Sequence, residues 1–304
     1  MQDFAGKVAF ITGGASGVGF GLAVAFAEAD MKIVLADVRP EQLARAEAQL
    51  QRAGVQVLAL ELDVTDREAY ARAADSVEAT FGKVHVLCNN AGIGLLGPLK
   101  SARYDDWDWV LGVNVGGVVN GLQTFLPRLL AHREGGHIVT TASVAGLFAG
   151  AGAGIYTASK MAVVGMMECL RGELAEDGIG VSVLCPHLVR TEIHQHSSLR
   201  PERFGNSGYR ATVAKDASDS GVKAMVDVGM DPLEVGRRVL RGIRRNDLYI
   251  LTHPEIEPIL RERFEALLGA LPDEVPDPAR VAVEAPTLHY WVYTEGRKDL
   301  EEPQ

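Results

Sequence analysis

The chain has 304 residues, 47% of them hydrophobic and 23% charged, with a formal net charge of −10. That length can bury a substantial core in one large domain or two ordinary ones. An acidic balance with no basic cluster speaks against a nucleic-acid backbone or an anionic membrane surface as partner.

In chain order, apolar runs alternate with longer amphipathic segments. Lys7–Thr12 reads as a buried strand, Gly17–Ala29 as a helix, Lys32–Ala36 as a strand and Pro40–Ala53 as a helix. A strand over Val55–Leu60 ends at Asp63, and a helix over Asp66–Phe81 follows. Val84–Cys88 is the fourth strand. Tyr104–Ala131 reads as one long helix, weakened by glycines at 112, 116, 117 and 121. His137–Thr141 is the fifth strand, Ile155–Asp177 a helix, Val181–Cys185 the sixth strand and Leu248–Thr252 the seventh. Strands apolar throughout and separated by helices predict a parallel sheet covered on both faces. Right-handed crossovers then make it a single doubly wound Rossmann-type α/β domain of seven strands, spanning residues 1–304. Two segments stand outside the alternation. Thr191–Asp231 is long, polar and glycine-containing, and reads as a substrate loop or lid. Pro254–Gln304 is a C-terminal extension, helical over Pro258–Leu271 and charged and frayed over Arg297–Gln304.

No window approaches the roughly 18 uninterrupted apolar residues of a membrane span. The start, Met1–Lys7, lacks the basic and apolar regions of a signal peptide, so the expected location is the cytoplasm. Cys88, Cys169 and Cys185 are odd in number and far apart, and read as reduced, mostly buried thiols. None has a second Cys or His at ligand spacing, so no metal is expected. His194 and His196 form a His-x-His pair with no carboxylate nearby, and a surface reading is preferred.

Thr12-Gly13-Gly14-Ala15-Ser16-Gly17-Val18-Gly19 joins the first strand to the first helix. Gly13, Gly17 and Gly19 let the backbone turn tightly and approach a pyrophosphate, for which the helix N-terminus offers free N–H groups. Asp37 closes the second strand, where a carboxylate accepts both hydroxyls of an adenosine ribose and repels a 2′-phosphate. Arg39 pulls the other way, since a guanidinium binds such a phosphate. The residue directly after Asp37 is Val38, not a base, and NAD is the expected cofactor. Asp63 and Val64 follow the third strand, in reach of an adenine. Asn89-Asn90-Ala91-Gly92 follows the fourth, where small residues leave room and amides tie strand ends together.

Tyr156-Thr157-Ala158-Ser159-Lys160 places a phenol and an ammonium on one helix face. The positive charge is expected to favour phenolate, equipping Tyr156 to exchange a proton near neutral pH. Ser143 adds a hydroxyl at the end of the run from Gly136 to Thr141.

These residues resemble the short-chain dehydrogenase/reductase family: Thr12-Gly13-x-x-x-Gly17-x-Gly19, Asp63, Asn89-Asn90-Ala91-Gly92, Asn114, Ser143 and Tyr156-x-x-x-Lys160, in matching order and spacing. The likeness covers residues 5–190 and continues more loosely to about 252. It implies that Tyr156 is the acid/base removing the alcohol proton. Lys160 holds the nicotinamide ribose and lowers the tyrosine pKa. Ser143 bonds the substrate oxygen, and Asn114 holds a water linking Lys160 to a proton relay. The family usually has Pro-Gly after its sixth strand. This chain has Pro186-His187-Leu188-Val189-Arg190-Thr191. Thr191 still reaches the nicotinamide amide, with Pro186 and Val189 beside it, while His187 is read either as a substrate contact or as a bystander facing solvent. The family also implies a homodimer or homotetramer, built through the helices near 104–131 and 155–177.

A narrower resemblance is to the bacterial NAD-dependent Cα-dehydrogenases of lignin-derived β-aryl ethers. It rests on the run from Phe10 to Gly17, Ala36-Asp37-Val38-Arg39, the run from Asp66 to Ala74, and Tyr104-Asp105-Asp106-Trp107-Asp108-Trp109. Arg200-Pro201-Glu202-Arg203-Phe204 and Ser207-Gly208-Tyr209 match as well. It implies oxidation of a benzylic secondary alcohol to a ketone, and with it aromatic-compound catabolism. A hydroxysteroid, terpene-alcohol or polyol dehydrogenase with the same chemistry is the alternative. The expected substrate wall is Ile93, Leu95, Val144, Ala145, Phe148, His187, Leu188 and His194, mostly apolar or small, suiting a bulky alcohol rather than a sugar.

Overall fold

A computed structural model describes residues 1–193, 199–209 and 228–295. Its centre is a seven-stranded sheet in the order β3-β2-β1-β4-β5-β6-β7. The strands are β1 (Val8–Thr12), β2 (Lys32–Asp37), β3 (Val57–Glu61), β4 (Val86–Asn89), β5 (Gly136–Thr141), β6 (Ile179–Cys185) and β7 (Tyr249–Leu251). Every pairing is parallel. β1 shows why such strands are apolar at every position. Val8 and Phe10 enter one core cluster, while Ala9 and Ile11 enter the cluster on the opposite face. Successive side chains of a strand alternate faces, and here both faces are buried.

The first cluster takes Tyr70, Ala73 and Val77 from α3 (Arg67–Phe81), Phe125 and Leu129 from α5 (Gly117–His132), and Val163 and Met167 from α6 (Gly154–Glu173). The second takes Leu22 and Phe26 from α1 (Gly17–Ala27), Leu43, Ala46 and Leu50 from α2 (Pro40–Arg52), and Val235, Val239 and Ile243 from α7 (Pro232–Arg245). The sequence pattern left α7 unassigned. Asp231 caps it by accepting a bond from Leu233 N at 2.8 Å, and Pro232 occupies its first turn, where no donor is lost. α7 crosses α1 at a pair of glycines: a Cβ on Gly236 would strike the carbonyl of Gly21.

The helix expected over Tyr104–Ala131 is divided. α4 (Tyr104–Leu111) runs into a π turn at Gly112–Gly116, and α5 continues to His132. The glycines are there for close approach. A Cβ on Gly117 would meet Val64 beyond β3, and one on Gly121 would meet Asn89 at the end of β4. The wider turn carries Asn114, as such turns often do at functional sites.

Helical structure in the C-terminal extension comprises α8 (Glu257–Gly269), α9 (Pro278–Glu284) and the short α10 (Val292–Glu295). α8 and α9 bury no residue within the chain. α10 is anchored on α6: Val292 joins the core, Tyr290 Oη donates to Glu168 O at 2.8 Å, and Arg171 pairs with Glu295 at 2.7 Å. Residues 297–304 lie outside the described residues. Among the described residues, no helix is long and apolar enough to cross a membrane. Cys88 and Cys185 are buried and Cys169 is exposed.

Candidate active site

The strand order reverses direction between β1 and β4, and a crevice opens at the carboxyl ends there, as expected of an open α/β sheet. It encloses about 400 Å³. Gly13, Ser16, Gly17, Val18 and Gly19 form one wall. Gly13 and Gly17 have φ of 63° and 51°, left-handed values that admit glycine without strain. A Cβ on Gly19 would overlap Gly13 O and Asn90 Nδ2. The first turn of α1 has no acidic residue, and the Ser16 side chain makes no cap bond to it. Its N–H groups are therefore offered toward an anion. This cradle fits a pyrophosphate.

Asp37 stands 4% exposed at the end of β2 and lines the crevice. Arg39 folds back on it, with Nε 3.0 Å from Oδ1 and Nη2 3.1 Å from Oδ2, and Nη2 also reaches Ser16 Oγ at 2.8 Å. Hydrogen bonding to Asp37 raises the guanidinium pKa further. Glu192 lies 3.9 Å from Nη1. The cation that complicated the cofactor expectation is thus paired in place with Asp37. Asp63, Val64, Ala91 and Gly92 also line the crevice. Asn90 ties three strand ends: Nδ2 donates to Thr12 O at 2.9 Å and Oδ1 accepts from Thr141 Oγ1 at 3.1 Å.

At the other end stand Ser143, Tyr156 and Lys160, together with Pro186, Val189 and Thr191. Tyr156 and Lys160 share one face of α6, and Lys160 Nζ lies 5.7 Å from the phenol ring. Lys160 Nζ donates to Thr141 O at 2.9 Å, and burial lowers its pKa to about 8. Burial also dominates at Tyr156 and raises the phenol above its ordinary value, while a hydrogen bond with Ser143 acts to lower it. Burial therefore outweighs the lowering expected from the ammonium. Asn114 is 1% exposed. Its Oδ1 accepts from Ile93 N at 2.8 Å, and its Nδ2 donates to Ile93 O and to Ser159 Oγ, both at 3.0 Å. Ser159 Oγ in turn donates to Tyr156 O at 2.7 Å. Asn114 thereby joins the loop after β4 to the helix turn bearing the phenol.

The residues expected of the substrate wall fall in different places. Ile93, His187 and Leu188 line the crevice, whereas Leu95, Val144, Ala145 and Phe148 do not. Leu95 is buried against Trp109, Ile155 and Tyr209, because the loop after β4 turns it inward. Val144 is buried in the turn after β5, where its amide donates to Pro186 O at 3.1 Å. His187 is exposed, its ring 5.6 Å from that of His253. His194 and His196 lie outside the described residues. The crevice is also lined by Trp109 and Val113 from the α4 region, and by Leu199, Arg203 and Phe204 from the segment after β6. The runs of sequence holding them, Trp107-Asp108-Trp109 and Arg203-Phe204, stand out in the sequence, but no spacing rule assigns them to a pocket.

A family model for the short chain dehydrogenases matches residues 7–202. A C alpha-dehydrogenase of Sphingobium sp. strain SYK-6 is 43% identical over 98% of this chain and 99% of its own length. Among solved structures, a short chain dehydrogenase/reductase from Burkholderia phymatum in complex with NAD aligns with a TM-score of 0.84 and 40% identity, covering 91% of this chain and 99% of its own. The apo form of LigD from Sphingobium sp. strain SYK-6 aligns with a TM-score of 0.75 and 40% identity, covering 90% of this chain and all (100%) of its own.

Proposed function

We propose that this chain, which belongs to the short-chain dehydrogenase family, oxidises a benzylic secondary alcohol to a ketone with NAD as cofactor. The observation that carries the reading is the single crevice holding a glycine cradle and Asp37 at one end, and Ser143, Tyr156 and Lys160 at the other. The cradle residues Gly13 to Gly19 hold the pyrophosphate, Asp37 the adenosine ribose, and Asp63 and Val64 the adenine. Asn90, Ala91 and Gly92 line its path, and Pro186, Val189 and Thr191 flank the nicotinamide. When bound, NAD supplies the hydride acceptor.

Tyr156 Oη takes the alcohol proton. Ser143 Oγ bonds the same alcohol oxygen and steadies its developing charge. Lys160 Nζ supplies the charge that favours phenolate and binds the nicotinamide ribose; with the pKa of Tyr156 raised, that charge is what makes proton loss accessible. Asn114 fixes the backbone behind the phenol and holds the water that extends the proton path. Ile93, Trp109, Leu188 and Phe204 present an apolar and aromatic surface suited to an aryl group.

The 43% identity to a C alpha-dehydrogenase along nearly the whole chain supports a lignin-derived β-aryl ether alcohol as substrate, and a role in lignin and aromatic-compound catabolism. A homodimer or homotetramer is supported by α8 and α9. A lone helix of 13 residues is marginal in water without a packing partner, and Phe264, Leu267 and Leu268 on α8 are more than half exposed. NAD reduction measured across benzylic, steroid, terpene and sugar alcohols tests the substrate class. The benzylic β-aryl ethers should have the highest kcat/KM. A steroid or sugar alcohol turned over far faster would refute the assignment.

A further inference from the structure

Two stretches of sequence, Tyr104–Trp109 and Arg200–Tyr209, interlock around one carboxylate. Asp106 is fully buried at 0% exposure. As the third residue of α4, its Oδ2 caps the helix by accepting from Arg103 N at 2.9 Å. Capping needs no more than that one bond. The carboxylate makes three further contacts, all with the segment that follows β6. Ser207 Oγ donates at 2.6 Å, Gly208 N at 3.0 Å, and Arg200 Nη1 stands 2.7 Å from Oδ1. Burial acts to raise the pKa of this carboxyl, and the bonds from Ser207, Arg103, Gly208 and Arg200 outweigh it, leaving the value below the ordinary one.

Arg200 is equally committed. Its guanidinium lies over the Trp109 ring at 5.0 Å, and its Nε donates to Phe204 O at 2.6 Å. The segment is clamped further by Asn206 N, which donates to Asp105 at 2.8 Å, and by the Tyr209 ring, buried so tightly against Gly97 that a Cβ there would overlap it. From this anchor the chain crosses the crevice. Leu199, Arg203 and Phe204 line it, and Arg203 reaches 3.9 Å from Asp63 on its adenine side.

We propose that Asp106 and Arg200 are positioning residues: they lock residues 199–209 across the crevice, and so set the affinity for dinucleotide and alcohol without touching either. This rests on the crevice being the dinucleotide and alcohol site. Only the fraction of molecules with the segment seated binds well, and apparent dissociation constants rise as that fraction falls. Once ligands are bound the segment is seated, and chemistry proceeds as before.

The test compares wild type with Asp106→Asn, Arg200→Met, Arg200→Lys and the double variant Asp106→Asn with Arg200→Met. The asparagine can still cap α4 through its amide oxygen, but it loses the charge that holds Arg200. NADH titrations, and kcat and KM with the most active alcohol of the screen, are the readouts. Asp106→Asn and Arg200→Met should each raise the NADH dissociation constant and KM about tenfold, with kcat within roughly threefold of wild type. Arg200→Lys should fall between Arg200→Met and wild type, and the double variant should be little worse than either single one, since both break one pair. Tryptophan emission should shift in Arg200→Met as Trp109 loses its covering cation. Unchanged affinities, or a fall in kcat at constant KM, overturn the proposal. If Asp106→Asn does not fold, Arg200→Met decides alone. A wild-type protein that fails to bind NADH removes the premise instead, which separates that failure from failure of the latch.

Discussion

Replacing Asp37 by alanine tests how this crevice chooses its cofactor. In the native chain the carboxylate lines the crevice where the ribose is proposed to lie and holds Arg39 by contacts of 3.0 and 3.1 Å. Its removal has two effects of opposite sign for the two dinucleotides. For NADH, a hydrogen bond from a ribose hydroxyl to a charged acceptor is lost, worth about 1.5–3 kcal/mol, or roughly tenfold to 150-fold in affinity. For NADPH, a like-charge repulsion disappears and a guanidinium becomes free. That guanidinium is 15% exposed and remains held by Ser16 at 2.8 Å, close to where a 2′-phosphate would lie. A charge-assisted contact of this kind contributes a similar amount. The preference for NADH over NADPH should therefore fall by roughly two to four orders of magnitude. Titration of wild type and Asp37→Ala with both reduced dinucleotides reads this directly, without any alcohol. A preference that moves less than about threefold would show that Asp37 is not the ribose ligand, whatever it does for Arg39.

Other outcomes follow from the same geometry. Gly19→Ala drives a methyl into Gly13 O and Asn90 Nδ2; NADH affinity should drop at least about a hundredfold while the fold survives, and wild-type binding would contradict the close approach assigned to this turn. His137 is fully buried with Nε2 2.8 Å from Ser182 Oγ, and burial lowers its pKa to about 3. Between its unfolded value of about 6.5 and that folded value, only the unfolded chain takes up the proton. Stability should therefore be complete above pH 6.5 and fall below it, by up to about 1.4 kcal/mol per pH unit in denaturant titrations, and His137→Gln should flatten that dependence. Lys160 is protonated at neutral pH in a buried site that lowers it to about 8, so the native state gains stability as pH climbs from about 8 toward the unfolded value near 10.4. Lys160→Met should abolish turnover, raise the melting temperature at pH 7 and remove that alkaline gain. A lower melting temperature would show that the bond to Thr141 O stabilises more than burial costs.

What the sequence revealed, and what it hid, follows from the range of the interactions involved. All seven strands were legible because each is a short, mainly apolar run between helical segments, and the cradle from Gly13 to Gly19 because its demands are local to one turn. Tyr156 and Lys160 were legible because helical spacing alone puts them on one face. α7 has no assignment from the sequence pattern; in the fold its Gly236 and Gly242 let a neighbouring element in close. Gly117 and Gly121 likewise face Val64 and Asn89 rather than weakening a helix. Leu95 and Val144 were picked for the pocket wall as apolar residues, and the structure buries both. The neutralising of Arg39 by Asp37 needed a side chain to fold back over two residues. The seating of Arg200 on Asp106 joins residues 94 positions apart in the sequence. No periodicity records a contact of that range.

The central claim is that one phenol transfers the proton while the rest of the crevice binds and orients. Tyr156→Phe removes a single oxygen and leaves the cradle, Asp37 and Lys160 in place. Steady-state turnover of the most active alcohol, measured beside NADH titration of the same protein, tests it directly. The account predicts that kcat falls by at least about a thousandfold while the NADH dissociation constant stays within about threefold of wild type. Turnover that survives the loss of that oxygen would contradict it.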